Sequence, residues 1–388
     1  MVQELHARVL SGEALVAGVL SGTSADGIDV GVARCASECG RLARIELVAF
    51  ATTPFEPELA RDVRAVLDGE PCDLRRAALL SRDLGRAFGR AVRALAERER
   101  LAVELVGSPG QTVYHHDGVE RSGPATLQLG DGCFVAEEAR ATTVSDFRQR
   151  DLARGGEGAP ISALADDLIF HATPKPCAIL NLGGMANLTI LSEGAPPLAF
   201  DTGPANALLD GLARRLLGRE FDRDGATART GRVHDAWVRE LGQHEFLRRA
   251  PPKSTGRDTF GAAWVDAAIA RGRALGVESP ADLLASSVDF VARSVADALR
   301  SFVDVQPAWL VLAGGGVHNL ALVDALARRC AQPVASSEDF GVDPKAREAL
   351  VFAGLAARAL LGEPTTEPRA TGARAGSVLG KLSLWSGA

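Results

Sequence analysis

The sequence predicts an α/β protein built from two similar lobes. The chain has 388 residues, and at about 100–200 residues per domain this length favours two domains. Short strand patterns alternate with long helical patterns along both halves. Each half also opens with a predicted strand hairpin whose tip is rich in glycine and small polar residues. These observations favour a duplicated α/β unit with a cleft between the copies, although two unrelated α/β domains would give a similar pattern.

In the first half, an apolar run at 16–20 and a β-branched run at 28–33 flank a polar tip at 21–27, as in a hairpin. Apolar spacing then predicts further strands and helices along this half. The strands are expected at 45–51, 103–106 and 126–129, and the helices at 59–67, 74–99 and 135–141.

The second half repeats this order after a glycine-rich stretch at 154–160. A strand at 177–180 leads into the tip 181–187, and a strand at 188–191 returns from it. The remaining predicted strands are 198–200 and 310–312, and the predicted helices are 206–217, 264–275, 283–303, 320–330 and 347–361.

Composition and charge exclude several classes of protein. With 46% hydrophobic and 24% charged residues, the chain is typical of folded globular proteins. Its net charge of -6 argues against nucleic-acid binding, which requires a positively charged surface. The six cysteines show no CxxC spacing, so we expect reduced thiols. No signal peptide or long apolar run is found, which predicts a cytoplasmic protein without a membrane partner.

Three glycine-rich elements are candidates for nucleotide binding. The tip 21–27 lacks the lysine of a Walker loop, and by itself it is compatible with an ordinary hairpin turn, as is the tip 181–187. Two such tips in equivalent places could hold a polyphosphate between them. The third element, 314–316, ends a predicted strand. It could admit a base or sugar, or it could serve tight packing of strand against helix.

Polar residues at two other places suggest a substrate site. Asp201 directly follows an apolar strand, where a carboxylate can project into a crevice, although an aspartate before Thr-Gly-Pro could also cap a helix. Within the loop 146–160, the segments 146–151 and 155–160 carry two arginines and three carboxylates. The loop could bind a polar anionic substrate through forked hydrogen bonds, or it could be a solvated charged loop.

Taken in order, eight segments resemble the anhydro-N-acetylmuramic acid kinase family, and the match extends from about Gly18 to the tail. The segments are 21–29, 107–112, 146–151 with 155–160, 181–187, 200–204, 221–225, 252–257 and 314–316. Each is weak alone, but their shared order makes the resemblance specific.

The resemblance implies the fold of the actin/sugar-kinase/Hsp70 ATPase superfamily. Two RNase H-like lobes would be hinged over an ATP and substrate cleft. The first lobe would comprise 1–145, joined by the tail 365–388, and the second 146–364. ATP and Mg²⁺ would be cofactors, the partners would be ATP and a small sugar, and the assembly could be a homodimer.

The resemblance also implies a coupled reaction of peptidoglycan recycling and amino-sugar catabolism. Water attacks the anomeric carbon of 1,6-anhydro-N-acetylmuramic acid and opens its internal ether. The freed 6-oxygen takes the γ-phosphoryl group, which gives N-acetylmuramic acid 6-phosphate and ADP. By position in the motifs, Asp201 would be the general base, and Glu348 would be a second catalytic carboxylate.

Binding residues follow from the same motif positions. The ATP-binding residues would be Ser21, Gly22, Thr23, Ser24, Ala25, Asp26, Gly27, Ile28, Asn181, Gly183, Gly184, Asn187, Gly314, Gly315, Gly316 and Asn319. The substrate-binding residues would be Gln111, Thr112, Arg148, Asp151, Glu157, Gly158 and Pro160. Asp26 would also reach Mg²⁺, directly or through water.

Three positions depart from the family pattern. Pro109 replaces a usual histidine, Glu157 a usual glutamine, and Ala205 a usual glycine. The lost imidazole and the added carboxylate leave open a related kinase acting on another anhydro- or amino-sugar. A non-catalytic actin-like ATP-binding protein is a further alternative, although a protein of that kind would need neither Asp201 nor the polar loop 146–160.

Overall fold

The computed structural model describes residues 1–22, 27–116 and 123–387. The chain folds into two compact units. The first unit comprises Met1–Ala172 and Ala346–Ala388, and the second comprises Thr173–Lys345. No helix in the described ranges combines the length and the apolar character needed to cross a membrane.

Strands and helices alternate through both units. The strands are β1 (Leu15–Leu20), β2 (Ile28–Glu38), β3 (Arg41–Thr53), β4 (Val103–Ser108), β5 (Gln111–His116), β6 (Ala125–Leu129), β7 (Thr142–Ser145), β8 (Cys177–Leu182), β9 (Met185–Ser192), β10 (Ala195–Pro204), β11 (Leu310–Ala313), β12 (Val334–Ser336) and β13 (Lys381–Ser383). The helices are α1 (Val2–Ser11), α2 (Pro57–Leu67), α3 (Leu74–Glu99), α4 (Gly132–Ala139), α5 (Gln149–Ala153), α6 (Ala163–Ile169), α7 (Asn206–Leu217), α8 (Asp235–Leu241), α9 (Glu245–Arg248), α10 (Arg257–Phe260), α11 (Ala262–Ala274), α12 (Pro280–Phe302), α13 (Leu320–Arg329), α14 (Arg347–Leu360) and α15 (Pro368–Thr371).

Five strands in the main sheet of each unit share one topology, and the sheet of the first unit has β13 as an additional edge strand. In the first unit the order is β13-β7-β4-β1-β2-β3, where β1, β2 and β3 are antiparallel and β4 and β7 continue parallel to β1. In the second unit the order is β10-β9-β8-β11-β12, where β8, β9 and β10 are antiparallel and β11 and β12 continue parallel to β8. The predicted α/β class, both predicted hairpins and the predicted duplication are therefore confirmed.

Long amphipathic helices cover the sheets. In α3, buried apolar residues recur at helical spacing, as at Leu80, Leu84, Phe88, Val92 and Leu95. The helix begins where the Asp73 carboxylate accepts the N–H of Arg76. In the second unit, α12 is buried along nearly its whole length. It packs against α7, α8, α13 and β10 and forms the centre of that core.

Helix α14 belongs to the first unit, whereas the sequence placed it in the second lobe, 146–364. Its backbone lies directly on the first sheet. A Cβ added to Gly18 of β1 would stand 1.8 Å from the carbonyl oxygen of Ala349, and one added to Gly107 of β4 would stand 2.0 Å from that of Phe352. These strand glycines therefore allow a close backbone approach that any side chain would block.

The unit boundaries consequently differ from those expected at 145/146 and 364/365. The structure divides the chain after residues 172 and 345, so the loop 146–160 and α6 also belong to the first unit. The tail pairs with this unit through β13, which runs antiparallel to β7. Apolar periodicity predicts that a helix is covered but not which sheet covers it, and this explains the difference.

Candidate functional site

Three predicted site residues lie side by side across the sheet of the second unit. Asp201 on β10 is the register partner of Asn187 on β9, and Asn187 is the partner of Asn181 on β8. Asn181 in turn is opposite Ala313 on β11, directly before Gly314. Because register partners point to the same face of a sheet, the carboxylate and the two amides form one polar row.

The Asp201 side chain is buried and held by a neighbouring loop. Its relative exposure is 5%, and its Oδ2 accepts the backbone N–H of Thr255 at 2.8 Å. The backbone N–H of Asp201 donates to the carbonyl oxygen of Lys253 at 3.1 Å. The helix-cap alternative is wrong, because α7 begins after Ala205 and has no side-chain cap hydrogen bond.

Sequence reasoning omitted Lys253 and Thr255 from the candidate site. Both lie in the segment 252–257, which contributed to the resemblance without being assigned a role. The chain has only four lysines among 43 basic residues, and Lys253 is 1% exposed. A rare residue type at a position with no hydrophobic pattern was the signal that could have indicated this site.

The tip between β8 and β9 is bonded to the start of α7. The carbonyl oxygen of Gly184 accepts the N–H of Ala205 at 2.9 Å, and that of Gly183 accepts the N–H of Asn206 at 3.1 Å. The Asn206 side chain also donates to the carbonyl oxygen of Leu182 at 3.0 Å. Hydrogen bonds to the helix start thus fix the shape of this glycine tip.

Packing accounts for two of the three glycines at 314–316. A Cβ on Gly314, which has a φ of +82°, would stand 2.7 Å from Asn181 Oδ1, and one on Gly316 would stand 2.5 Å from the Leu182 side chain. At Gly315, by contrast, an added Cβ would meet nothing within 4 Å. Asn319 caps α13, where its Oδ1 accepts the N–H of Leu322 at 3.2 Å. Gly315 is therefore the open position of this turn.

The corresponding tip of the first unit is described only at its ends. Ser21 is buried, and the carbonyl oxygen of Gly22 accepts Nε2 of Gln111 at 3.3 Å. Gln111 is 1% exposed, and its Oε1 has no hydrogen-bond partner among the described residues. Thr112 follows it on β5, and Gly27 and Ile28 lead into β2. The predicted positions Thr23, Ser24, Ala25 and Asp26 lie outside the described residues.

Asp151 lies at the centre of the loop 146–160. It is 0% exposed, and its two oxygens accept the N–H of Gly158 at 2.8 Å and the hydroxyl of Thr371 at 2.7 Å. Burial raises the pKa of Asp151, although both hydrogen bonds and Arg148 act in the opposite direction. The Arg148 guanidinium donates to the carbonyl oxygen of Gly158 at 2.6 Å. Both side chains therefore shape the loop from inside.

Two further predicted residues flank this centre. The backbone N–H of Glu157 donates to the carbonyl oxygen of Thr371 at 2.8 Å, and its side chain is partly exposed. Pro160 is buried directly before the apolar Ile161. The Glu157 side chain is thus partly exposed, whereas Asp151 and Arg148 bond inside the loop.

Glu348 lies in the first turn of α14 and is partly exposed. Its neighbour Arg347 is buried and forms a two-pronged ion pair with Asp166, with Nε–Oδ1 and Nη2–Oδ2 distances of 2.9 and 2.5 Å. This pair fixes the start of α14 to α6. The two predicted catalytic carboxylates therefore belong to different units, Glu348 to the first and Asp201 to the second.

Comparison with known proteins gives a consistent result along the chain. A model of the family "Anhydro-N-acetylmuramic acid kinase" matches residues 14–384. The anhydro-N-acetylmuramic acid kinase of Xanthomonas oryzae pv. oryzae is 40% identical over 376 residues, which are 95% of this chain and 97% of the relative. Those of Salinibacter ruber and Caldanaerobacter subterraneus are 39% and 34% identical over similar shares of both chains.

Comparison with solved structures gives much lower sequence identities. The activator of 2-hydroxyisocaproyl-CoA dehydratase from Clostridium difficile is 14% identical, with a TM-score of 0.45 over 89% of this chain and 95% of that one. A ROK family glucokinase from Streptomyces griseus, also 14% identical, has a TM-score of 0.37 over 88% of this chain and 98% of that one. The family model and the relatives, in contrast, match nearly the whole sequence, and the chain belongs to the anhydro-N-acetylmuramic acid kinase family.

Proposed function

We propose that this chain is an ATP-dependent kinase of 1,6-anhydro-N-acetylmuramic acid. Water opens the 1,6-anhydro ring, the freed 6-oxygen takes the γ-phosphoryl group, and the products are N-acetylmuramic acid 6-phosphate and ADP. Membership of the family supports the substrate class. The observation that carries the proposal is the buried Asp201 in a polar row with Asn187 and Asn181.

Asp201 is the proposed general base. Attack on the anomeric carbon requires removal of a proton from water, and a carboxylate within hydrogen-bond reach can accept it. The N–H of Thr255 binds Oδ2 at 2.8 Å, which fixes the plane of the carboxylate. Burial on the sheet restricts bulk water around it. Glu348 is proposed as a second carboxylate of the reaction.

In the second unit, we assign nucleotide contacts to the polar row and the two glycine turns beside it. Asn181 and Asn187 offer amide groups, and Asn181 Oδ1 has no hydrogen-bond partner among the described residues. Gly183, Gly184 and Gly315 leave backbone accessible to a planar or anionic group. Because Gly314, Gly316 and Asn319 are used in packing and capping, we propose that they support the turn rather than contact ATP through side chains.

In the first unit, residues 21–28 are proposed to bind phosphates. Mg²⁺ would neutralise negative charge on the transferred phosphoryl group. The described residues contain no cluster of three His, Cys, Asp or Glu side chains that could hold a metal. Proteins commonly bind Mg²⁺ through one or two carboxylates together with substrate phosphates and water. We propose Asp26 as the carboxylate.

The sugar-binding role is proposed for Gln111, Thr112 and Glu157. Gln111 Oε1 offers a buried acceptor to a sugar hydroxyl or amide N–H. Asp151 and Arg148 act indirectly in this proposal, because both bond to Gly158 and hold the loop that carries Glu157. The buried Pro160 has the same supporting role.

The location and assembly also remain proposals. A kinase that uses ATP and a small sugar is proposed to act in the cytoplasm, and a homodimer is the predicted assembly. Size-exclusion chromatography with light scattering would test the assembly, since a mass near 41 kDa, that of one chain, would contradict a dimer.

A coupled ADP-release assay tests the proposed function. We expect ADP release to depend on 1,6-anhydro-N-acetylmuramic acid, with a 6-phosphate monoester visible by ³¹P NMR. A parallel assay uses the 1,6-anhydro sugar that lacks the lactyl acid. It tests whether the natural substrate is another sugar, as the Glu157 departure could imply. Preference for that analogue would support the related-kinase alternative. ATP turnover independent of any sugar would contradict the proposal.

A further inference from the structure

Lys253 is a buried cation that none of the roles above uses. Its relative exposure is 1%, although a lysine is almost never fully buried unless it is paired. Its Nζ donates to the carbonyl oxygens of Phe246 and Leu247 at 3.3 and 3.4 Å. Two neutral acceptors at these distances compensate only part of the cost of removing an ammonium from water.

Three aromatic rings surround the same ammonium. Nζ lies 4.8 Å from the ring centroids of Phe246 and Phe302 and 6.0 Å from that of Phe200. Ring faces attract a cation at these distances, and more strongly where water is excluded. These rings come from α9, α12 and β10, so the cage is built by distant parts of the second unit. Phe200 directly precedes Asp201.

The backbone of the same segment holds Asp201. The carbonyl oxygen of Lys253 accepts the N–H of Asp201 at 3.1 Å, and two residues later the N–H of Thr255 donates to Asp201 Oδ2 at 2.8 Å. Anchoring the Lys253 side chain in the aromatic cage therefore fixes the peptide segment that orients the carboxylate.

We infer that Lys253 is a positioning residue for Asp201, which it orients through the segment 253–255 and keeps ionised through its buried positive charge. This inference rests on the proposed role of Asp201 as the general base. A cation in a low-dielectric environment stabilises a nearby carboxylate against protonation, and a carboxylate must be ionised to accept a proton from water.

Lys253 carries its positive charge in the pH range in which catalysis requires an ionised Asp201. The charged groups acting on it are Asp201, which stabilises the ammonium, and Arg249, which opposes it. Burial lowers the pKa of Lys253 to about 8. Lys253 is therefore cationic throughout the acidic and neutral range, in which protonation of Asp201 would stop catalysis.

The test compares the pH dependence of kcat/KM for the wild type and Lys253→Met. Methionine has a similar length, fits an aromatic cage and carries no charge. We expect the acid limb to move upward by about one pH unit, so that on the falling part of that limb activity drops by up to tenfold more than it does near pH 7.5. Lys381→Met is the matched control, since that side chain is 74% exposed and lies in the first unit.

A purely structural role would lower activity equally at all pH values and leave the limb in place. NMR of ¹³C-labelled lysine gives an independent measurement on the unmodified protein, because only four lysines contribute signals. We expect the Lys253 signal to titrate near 8, well below the ordinary pKa of a lysine. Because coupling between two sites is reciprocal, Asp201→Asn should lower the Lys253 midpoint.

Two results would overturn the inference and leave the proposed function intact. One is an acid limb that coincides in the wild type and Lys253→Met. The other is a Lys253 titration midpoint that Asp201→Asn leaves unchanged, and this measurement does not depend on whether Lys253→Met folds. If Asp201→Asn instead keeps near-normal turnover, the proposed base is wrong, and the inference about Lys253 falls with it.

Discussion

Asp151 and Asp201 are two buried aspartates with different surroundings. Asp151, in the first unit, accepts hydrogen bonds from the Gly158 N–H and the Thr371 hydroxyl and lies inside its own loop. Asp201, in the second unit, accepts the Thr255 N–H and lies in the polar row of the sheet. Relative exposures of 0% and 5% hardly distinguish them.

Their electrostatic surroundings do distinguish them. Burial is the largest influence on Asp151 and raises its pKa, against the opposing effects of the hydrogen bonds from Thr371 and Gly158 and of the Arg148 charge. Asp201 interacts with the ammonium of Lys253, a group buried in the same unit. A carboxylate that closes its own loop stabilises architecture, whereas one held at a sheet row beside a buried cation is suited to chemistry. Burial alone therefore does not identify a catalytic acid or base.

Asp201→Asn should give the largest effect, and it tests whether Asp201, unlike Asp151, takes part in the chemistry. The amide keeps the shape but cannot accept a proton from water, so kcat should fall by about 10²–10⁴-fold. Coupled ADP release measures the loss, and calorimetric titration with a nucleotide analogue should show ATP-site binding largely retained. Turnover within a few fold of the wild type would show that Asp201 is not the base.

Asp151→Ala should mainly lower the stability of the protein. It leaves the Gly158 N–H and the Thr371 hydroxyl without their acceptor, and we expect a loss of about 3 kcal/mol in the free energy of unfolding. Urea unfolding followed by circular dichroism measures this loss. Thr371→Val, which removes one of the two bonds, should cost about 1 kcal/mol. Unchanged stability in Asp151→Ala would refute a structural role.

Glu157→Gln tests whether the loop held by Asp151 faces the sugar. Its side chain is partly exposed, so solvent screens most of any repulsion of the lactyl carboxylate. We expect the KM for 1,6-anhydro-N-acetylmuramic acid to fall by about three- to tenfold, or roughly 1 kcal/mol, while that for ATP stays constant. The analogue without the lactyl acid is the control. An equal change in KM for both sugars would exclude a charge effect.

The pH dependence of stability should provide the smallest effect. Because the pKa of Asp151 is raised on folding, the native state binds its proton more tightly than the unfolded state. The contribution of Asp151 to stability therefore increases as pH falls through its native pKa. The difference in unfolding free energy between wild type and Asp151→Asn should be larger near pH 4 than near pH 7. A difference that shrinks toward acid pH would contradict this sign.

Much of the second unit's site was predictable from local patterns. The hairpin 177–191 and the strand before Asp201 followed from β-rich runs and a glycine tip, and antiparallel pairing then brings Asn181, Asn187 and Asp201 together. The three-ring cage of Lys253 was not predictable, because its rings come from residues 200, 246 and 302. No spacing rule relates positions so far apart.

Local sequence patterns were sufficient to predict the α/β class, the two hairpins, the order of the long helices and the family. These features depend on apolar periodicity, turn residues and short motifs, all of which are local in the chain. The folded structure was needed to show that α14 packs on the first sheet at Gly18 and Gly107. It alone also showed that Asp151 bonds within its loop while Lys253 is buried near Asp201. These outcomes depend on close approach between distant segments, and a linear pattern contains no distances.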